Sequence, residues 1–309
     1  MNELNYTKVF ETLVDETAKY VTDNNIKAMI LGISGGIDST VVAAICHEVS
    51  KRVGIPLIGR SLPTKYNKKG ETTTADLVGK AFCTDFQTFN IGNMYENILD
   101  EMTETYDHQT PLANGNIQAR LRMIYLYNLA SIYKGIVMDT DNLTENNLGY
   151  FTIHGDVGDF NPIGGLWKTE VFELAKWLQN LYSYYAYTYF YAGTSEVTES
   201  EKDSLYKAKA ICESLKLKPT AGLGITNSDL EELGAESYDQ VDAILHEILG
   251  WKCIEDQNPS NPEERYKKFM EDQQMLNIPI EVIQNVAKRH FYSSFKRKKL
   301  PIKITRNEL

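Results

Sequence analysis

A glycine-rich turn between an apolar strand-like run and an apolar run of helical length constrains this chain more than any other feature. Ala28, Met29, Ile30 and Leu31 lead into Gly32, Ile33, Ser34, Gly35, Gly36, Ile37, Asp38 and Ser39, and Val41, Val42, Ala43, Ala44 and Ile45 follow. Such a turn aims backbone N–H groups and the positive end of a helix at one spot, which makes an anion cradle. Ser34 and Ser39 add hydroxyl donors, Gly35 and Gly36 allow close backbone approach, and Asp38 offers a hard oxygen ligand of the kind Mg²⁺ prefers. No lysine follows the glycines, so this is not the phosphate loop of kinases and GTPases. An ordinary strand-to-helix turn requires neither the serines nor the aspartate.

Composition narrows the function classes. The chain has 309 residues, 42% hydrophobic and 24% charged, which suits a soluble globular protein with a full core. No apolar run reaches the roughly 18 residues that span a bilayer. The residues from Met1 to Leu4 lack the basic and apolar regions of a secretory leader, so a cytoplasmic location is expected. A net charge of −10 argues against nucleic acid as the main partner, because phosphate binding relies on clustered Lys and Arg. The basic cluster Lys296, Arg297, Lys298 and Lys299 fits either a small phosphorylated ligand or a solvated surface. Cys46, Cys83, Cys212 and Cys253 are widely spaced and form no C-x-x-C pair, so they read as reduced structural thiols.

Along the chain, strand-like and helix-like segments alternate, the pattern of a parallel sheet covered by helices on both faces. Helices are expected near 4–23, 38–51 and 72–82, in a segment ending near Met102, and over 116–134. Strands are expected near 27–33, 55–58, 86–91 and 135–138. A ligand site in such a sheet lies beyond the carboxyl ends of the strands, where loops 32–38 and 139–145 both fall. With no repeat and no low-complexity linker, one domain over 1–309 is the simplest organisation. The tyrosine-rich run 181–191 alternates aromatic and small residues, which suggests a strand or an interface, and 193–204 reads as polar loop.

Further strings follow in order: Gly-Asn-Ile-Gln-Ala-Arg-Leu-Arg-Met at 115–123, Asp-Thr-Asp-Asn-Leu-Thr-Glu at 139–145, and Gly-Tyr-Phe-Thr-Ile-His-Gly-Asp at 149–156. Asp-Phe-Asn-Pro-Ile at 159–163, Leu-Trp-Lys-Thr-Glu-Val at 166–171, Lys-Pro-Thr-Ala at 218–221, Glu-Leu-Gly at 232–234 and Phe-Lys-Arg at 295–297 complete the set. The Ser-Gly-Gly-x-Asp-Ser turn resembles the loop of ATP pyrophosphatases, which split ATP into AMP and pyrophosphate. The ordered set, from about 8 to 302, resembles the NAD synthetases within that group.

The resemblance implies a doubly wound parallel α/β sheet of the adenine nucleotide alpha hydrolase-like, Rossmann-like class. It implies ATP-dependent amidation of nicotinic acid adenine dinucleotide to NAD through an acyl-adenylate. By the same resemblance, Gly32 to Ser39, Thr140, Lys168 and Thr220 contact ATP, and Asp38 with Glu145 holds Mg²⁺. Arg120, His154, Asp159, Phe295 and Lys296 face the dinucleotide. Arg122 is read as structural, although the two arginines could exchange roles. A glutamine-using member carries a further amidohydrolase domain of roughly 250 residues, for which the assigned chain leaves no room. Free ammonia, or ammonia from a separate enzyme, is therefore expected, and family members pair as homodimers. Another ATP pyrophosphatase acting on a different carboxylate or on tRNA, or a nucleotide-binding regulator without turnover, are the alternatives.

Several positions depart from the family pattern. Ile153 stands where a substrate-contacting lysine is common, with His154 as a partial substitute. Asp139 replaces a glycine, Phe295 replaces a common histidine, and the loop between Asp156 and Asp159 is one residue shorter. The segment around 182–212 reads as an insertion. No ATP or Mg²⁺ ligand is lost, so activity is expected to survive with altered dinucleotide affinity.

Overall fold

The computed structural model describes residues 4–67, 69–105, 110–190, 198–219, 228–254, 261–272, 277–299 and 302–303. Six strands form one sheet: β1 (Met29–Gly32), β2 (Leu57–Ser61), β3 (Asp85–Thr88), β4 (Ile136–Met138), β5 (Phe160–Asn161) and β6 (Ile302–Lys303). Their order is β3-β2-β1-β4-β5-β6, and every pairing is parallel. Met29 lies opposite Leu57 on one side and Ile136 on the other, which fixes the central register.

Strand periodicity distributes the core. Met29 and Leu31 point to one face, where they pack with α1 (Tyr6–Asp23), α2 (Ile37–Val53), α3 (Lys69–Phe82), α7 (Lys168–Phe190) and α8 (Glu199–Leu215). Ile30 points the other way and meets Ile58, Val137 and Ala130, the last on α5 (Pro111–Tyr133). A third layer of contacts on that side joins Tyr95 of α4 (Gly92–Thr105) to Leu121 of α5. Burial on both faces is why β1 reads as a continuous apolar run, and the doubly wound arrangement is the one expected.

A separate apolar cluster gathers around α6 (Leu143–Leu148), α9 (Asp229–Leu233), α10 (Tyr238–Ile254), α11 (Pro262–Asp272) and α12 (Ile280–Tyr292). Its centre is Trp167, Val241, Ile244, Phe269 and Phe291. A short 3-10 helix (Lys296–Lys299) then leads towards β6.

Helix α5 starts earlier than expected because Thr110 accepts from the Ala113 N–H and Pro111 takes the first helical turn. The tyrosine-rich run is a correction. As far as Phe190 it is no strand but the end of α7, with Tyr182 and Ala186 buried one turn apart and Tyr184 exposed. Helical spacing at 182 and 186 won over the apparent two-residue alternation. Thr198 opens α8 with a capping box to Glu201, so the expected polar loop is helical from Glu199 onwards, while 191–197 lie outside the described residues.

Candidate active site

The strand order reverses between β1 and β4, so the loops that follow them diverge and open a crevice. That crevice is a cleft of about 1150 Å³. Its floor is the β1–α2 turn. Ser34 Oγ lies 3.0 Å from Ser39 Oγ and accepts the Gly36 N–H at 3.2 Å. Ser39 and Thr40 both donate to the Gly36 carbonyl, at 3.0 and 2.9 Å. These bonds hold the start of α2 open towards the cleft. Gly35 has φ +87°, and a Cβ there would lie 2.4 Å from the Glu71 carbonyl oxygen, so the turn presses its back against α3.

A second turn, after β4, brings the acids together. Asn142 caps α6: its side chain accepts the Glu145 N–H at 3.0 Å, and Glu145 Oε2 accepts the Asn142 N–H at 3.2 Å. The same Asn142 donates from Nδ2 to Asp38 Oδ1 at 2.9 Å. Lys168, at the first position of α7, then closes the group. Its Nζ donates to Asp38 Oδ2 at 2.6 Å and to Glu145 Oε1 at 2.8 Å, and the residue is 1% exposed. A cation at the positive end of a helix is unfavourable by itself, and here two carboxylates offset it. They outweigh burial and hold the Lys168 ammonium protonated well above its ordinary range. Burial, and after it the Asp38 charge, pushes the Glu145 carboxyl up to about 8. Two hard carboxylates at a spot already needing positive charge suit Mg²⁺, which takes one or two carboxylates and completes its shell with phosphate oxygens and water. Among the described residues no group of three or more His, Cys, Asp or Glu is placed to hold a metal alone.

Most of the expected nucleotide residues meet at the cleft. Gly32, Ile33, Ser34, Gly36, Ile37, Asp38, Ser39, Thr140, Glu145 and Lys168 line it, as do Phe295 and Lys296. Gly35 faces away, and Thr220 lies outside the described residues. Arg120, His154 and Asp159 do not line the cleft. Arg120 and His154 are exposed, and Arg120 donates to the Ile153 carbonyl at 3.4 Å. Asp159 accepts from the Tyr127 hydroxyl and the Val137 N–H, both at 2.9 Å, and so braces α5 against β4. Lys296 donates to the Gly149 and Phe151 carbonyls at 2.8 and 2.7 Å.

Several residues outside the expected nucleotide and dinucleotide set also reach the cleft. Arg122 lines the cleft and donates to the Leu62 carbonyl at 3.1 Å and Asn67 Oδ1 at 3.2 Å. Arg60, 4% exposed, donates to Asp85 Oδ2 at 2.7 Å. A lone charge within the apolar run 57–62 was the signal for it. Asp141 and Asp156 also line the cleft, and burial raises both carboxyls, with the Asp139 charge adding to the effect on Asp141. Asp139 itself is pushed up to about 7 by burial.

Residues 9–300 match the family described as NAD synthase. The chain is similar to an NH₃-dependent NAD⁺ synthetase of Thermoplasma volcanium, 33% identical over 245 residues, covering 79% of this chain and 85% of that one. One of Campylobacter jejuni is 31% identical over 218 residues, covering 70% and 85%. Among solved structures, an NMN synthetase from Francisella tularensis superposes with a TM-score of 0.67 at 25% identity, covering 96% of this chain and 98% of that one. An NH₃-dependent NAD synthetase from Campylobacter jejuni gives 0.61 at 24% identity, covering 97% and 99%, and shares the fold.

Proposed function

Because the chain belongs to the NAD synthase family, we propose that its cleft amidates the nicotinate carboxylate of nicotinic acid adenine dinucleotide with ammonia, at the expense of ATP. The observation that carries this reading is the meeting of the serine-glycine turn with Asp38, Glu145 and Lys168 inside one cleft. A carboxylate is a poor acyl electrophile. One of its oxygens therefore attacks the α-phosphorus of ATP, pyrophosphate leaves, and an acyl-adenylate forms. Ammonia then attacks the acyl carbon and AMP departs with that oxygen.

The turn's N–H groups and the start of α2 bind the phosphates, and Thr140 and Thr220 contact the nucleotide. Lys168, held at the same spot, supplies a fixed cation for charge that develops on phosphate. Asp38 and Glu145 would hold Mg²⁺, which supplies further charge neutralisation when bound. Phe295 and Lys296 form the dinucleotide side, joined by Arg122. Asp159 acts through α5 and β4 and not by contact.

The exposed positions of Arg120 and His154 fit a dinucleotide site completed by a second copy of the chain. Ile124 and Ile132 of α5 are 58% and 63% exposed, an apolar pair that supports pairing along this helix. No described helix is long and apolar enough to cross a membrane, and the reading assigns the enzyme to the cytoplasm.

A second reading, the same amidation yielding the mononucleotide, is favoured by the superposition on the Francisella NMN synthetase. The experiment is product formation from ATP and Mg²⁺ with the dinucleotide or the mononucleotide acid, each supplied with ammonium or glutamine. NAD with ammonium alone supports the first reading, and preference for the mononucleotide supports the second. Pyrophosphate release that depends on tRNA would overturn both.

A further inference from the structure

Asp242 lies on α10, fully buried, and is not part of the cleft wall. Its two oxygens nevertheless serve two helices that carry the site. Oδ1 accepts the hydroxyl of Thr144, in the first turn of α6. Oδ2 accepts both the N–H and the hydroxyl of Thr169, in the first turn of α7, at 3.0 and 2.8 Å. The Thr144 hydroxyl in turn accepts the Lys168 N–H at 2.8 Å. Thr144 precedes Glu145 and Thr169 follows Lys168, the two residues whose side chains meet at 2.8 Å.

Helix α6 has six residues, too few to hold itself in place, so its position is whatever its partners impose. Its far end is fixed by Arg289, which donates to the Leu148 carbonyl at 3.0 Å, and by Arg297, which donates to the Asn147 carbonyl at 2.8 Å. Its near end is fixed by Asn142 on one side and Asp242 on the other. Burying a carboxylate is costly unless donors meet it, and here the donors come from the backbone and hydroxyls that set Glu145 and Lys168.

We infer that Asp242 is a positioning residue for the Glu145–Lys168 pair, setting the affinity of the cleft for magnesium-bound nucleotide without touching it. The inference rests on the reading of the cleft as a nucleotide site with a metal held by Asp38 and Glu145. Thr144 is the relay: its hydroxyl donates to Asp242 and accepts from Lys168.

The test is ATP binding by calorimetry in Mg²⁺ and again in EDTA, for the wild type, Asp242→Asn, Thr144→Val and Thr144→Ser. Asp242→Asn and Thr144→Val are each expected to lose roughly 10-fold or more in affinity in Mg²⁺, with a clearly smaller loss in EDTA, where only the Lys168 contact is disturbed. Thr144→Ser keeps the hydroxyl and is expected to bind within about threefold of wild type, while Asp242→Asn combined with Thr144→Val falls no further than Asp242→Asn alone. In turnover, the losses fall on kcat and on the Mg²⁺ requirement, with the dinucleotide KM unchanged.

Equal losses in Mg²⁺ and EDTA, or like behaviour of Thr144→Ser and Thr144→Val, would overturn the inference. The Thr144 pair decides the matter if Asp242→Asn does not fold. Wild-type ATP binding that ignores Mg²⁺ overturns it as well. Tight Mg²⁺-dependent ATP binding without any amide product sinks the proposed reaction alone, since the binding series is read without product.

Discussion

Asn142 donates to Asp38 across 2.9 Å and so ties the cap of α6 to the first turn of α2. The two helices approach the cleft from opposite sides of the strand-order reversal, and this bond sets Asp38 and Glu145 on either side of Lys168. The carboxylates are thus placed by backbone caps, with little freedom left to their own side chains.

Asp38→Ala removes one carboxylate from that arrangement and the partner of both Asn142 and Lys168. Turnover is expected to fall by roughly 100-fold or more, measured as pyrophosphate release at saturating ATP. Activity close to wild type would take Asp38 out of the machinery.

Lys296 holds the Gly149 and Phe151 carbonyls and lines the cleft beside Phe295, which is 62% exposed. Lys296→Ala is expected to raise the KM for the dinucleotide more than the KM for ATP. Equal changes in both would mean that this segment is no clamp for the dinucleotide.

Gly35 has φ +87° and sits against the Glu71 carbonyl. Gly35→Ala must strain the turn or push α3 away, at a cost of about 1–3 kcal/mol. Urea unfolding and ATP titration should both register it, and a variant that keeps wild-type stability and affinity would show that the turn has room to move.

The pH dependence of stability follows from the buried acids. Glu145 is pushed up to about 8 and Asp139 to about 7, so the folded protein keeps protons that the unfolded chain gives up near pH ~4. Where the native state binds more protons, stability falls as pH rises. Burial lowers the His47 ring, an effect of opposite sign that belongs to lower pH. The nucleotide-free protein is expected to lose stability between pH 6.5 and 8, by up to ~1.4 kcal/mol per pH unit for each proton retained. Denaturant unfolding at several pH values measures it, and Glu145→Gln should flatten the slope. A level wild-type profile would mean that both acids are already ionised in the fold.

Four strands of the sheet and the glycine-serine turn were legible because their signals are local, whereas β5 and β6 are only two residues each and leave no such signal. β1 is an apolar run, the turn is glycine and serine, and α2 follows at once. Lys168 was legible through the family resemblance, and its place among the two carboxylates comes from distant parts of the chain. Arg120 and Arg122 show where local reading stops. Both sit in one motif on α5, and only the packing of α5 against the Leu62 carbonyl and Asn67 turns Arg122 into the cleft. Asp159 shows the same limit, since the partners that hold it, Tyr127 and Val137, come from distant elements and leave no local pattern. Asp242 gave no local signal at all: an acid on an amphipathic helix ordinarily faces water, and only the arrival of Thr144 and Thr169 keeps it inside.

The bonds that complete the acid pair join residues far apart in the chain: Asn142 to Asp38 across 104 positions, Thr144 to Asp242 across 98, and Arg297 to Asn147 across 150. The serines of the glycine-rich turn are five positions apart. Loop closure makes the distant contacts slow and the near ones quick. Refolding should therefore produce an anion cradle early and the paired carboxylates late. The magnesium dependence of ATP binding then serves as a clock for the final step of folding: a chain that holds the nucleotide equally with and without the ion has yet to close its longest loops.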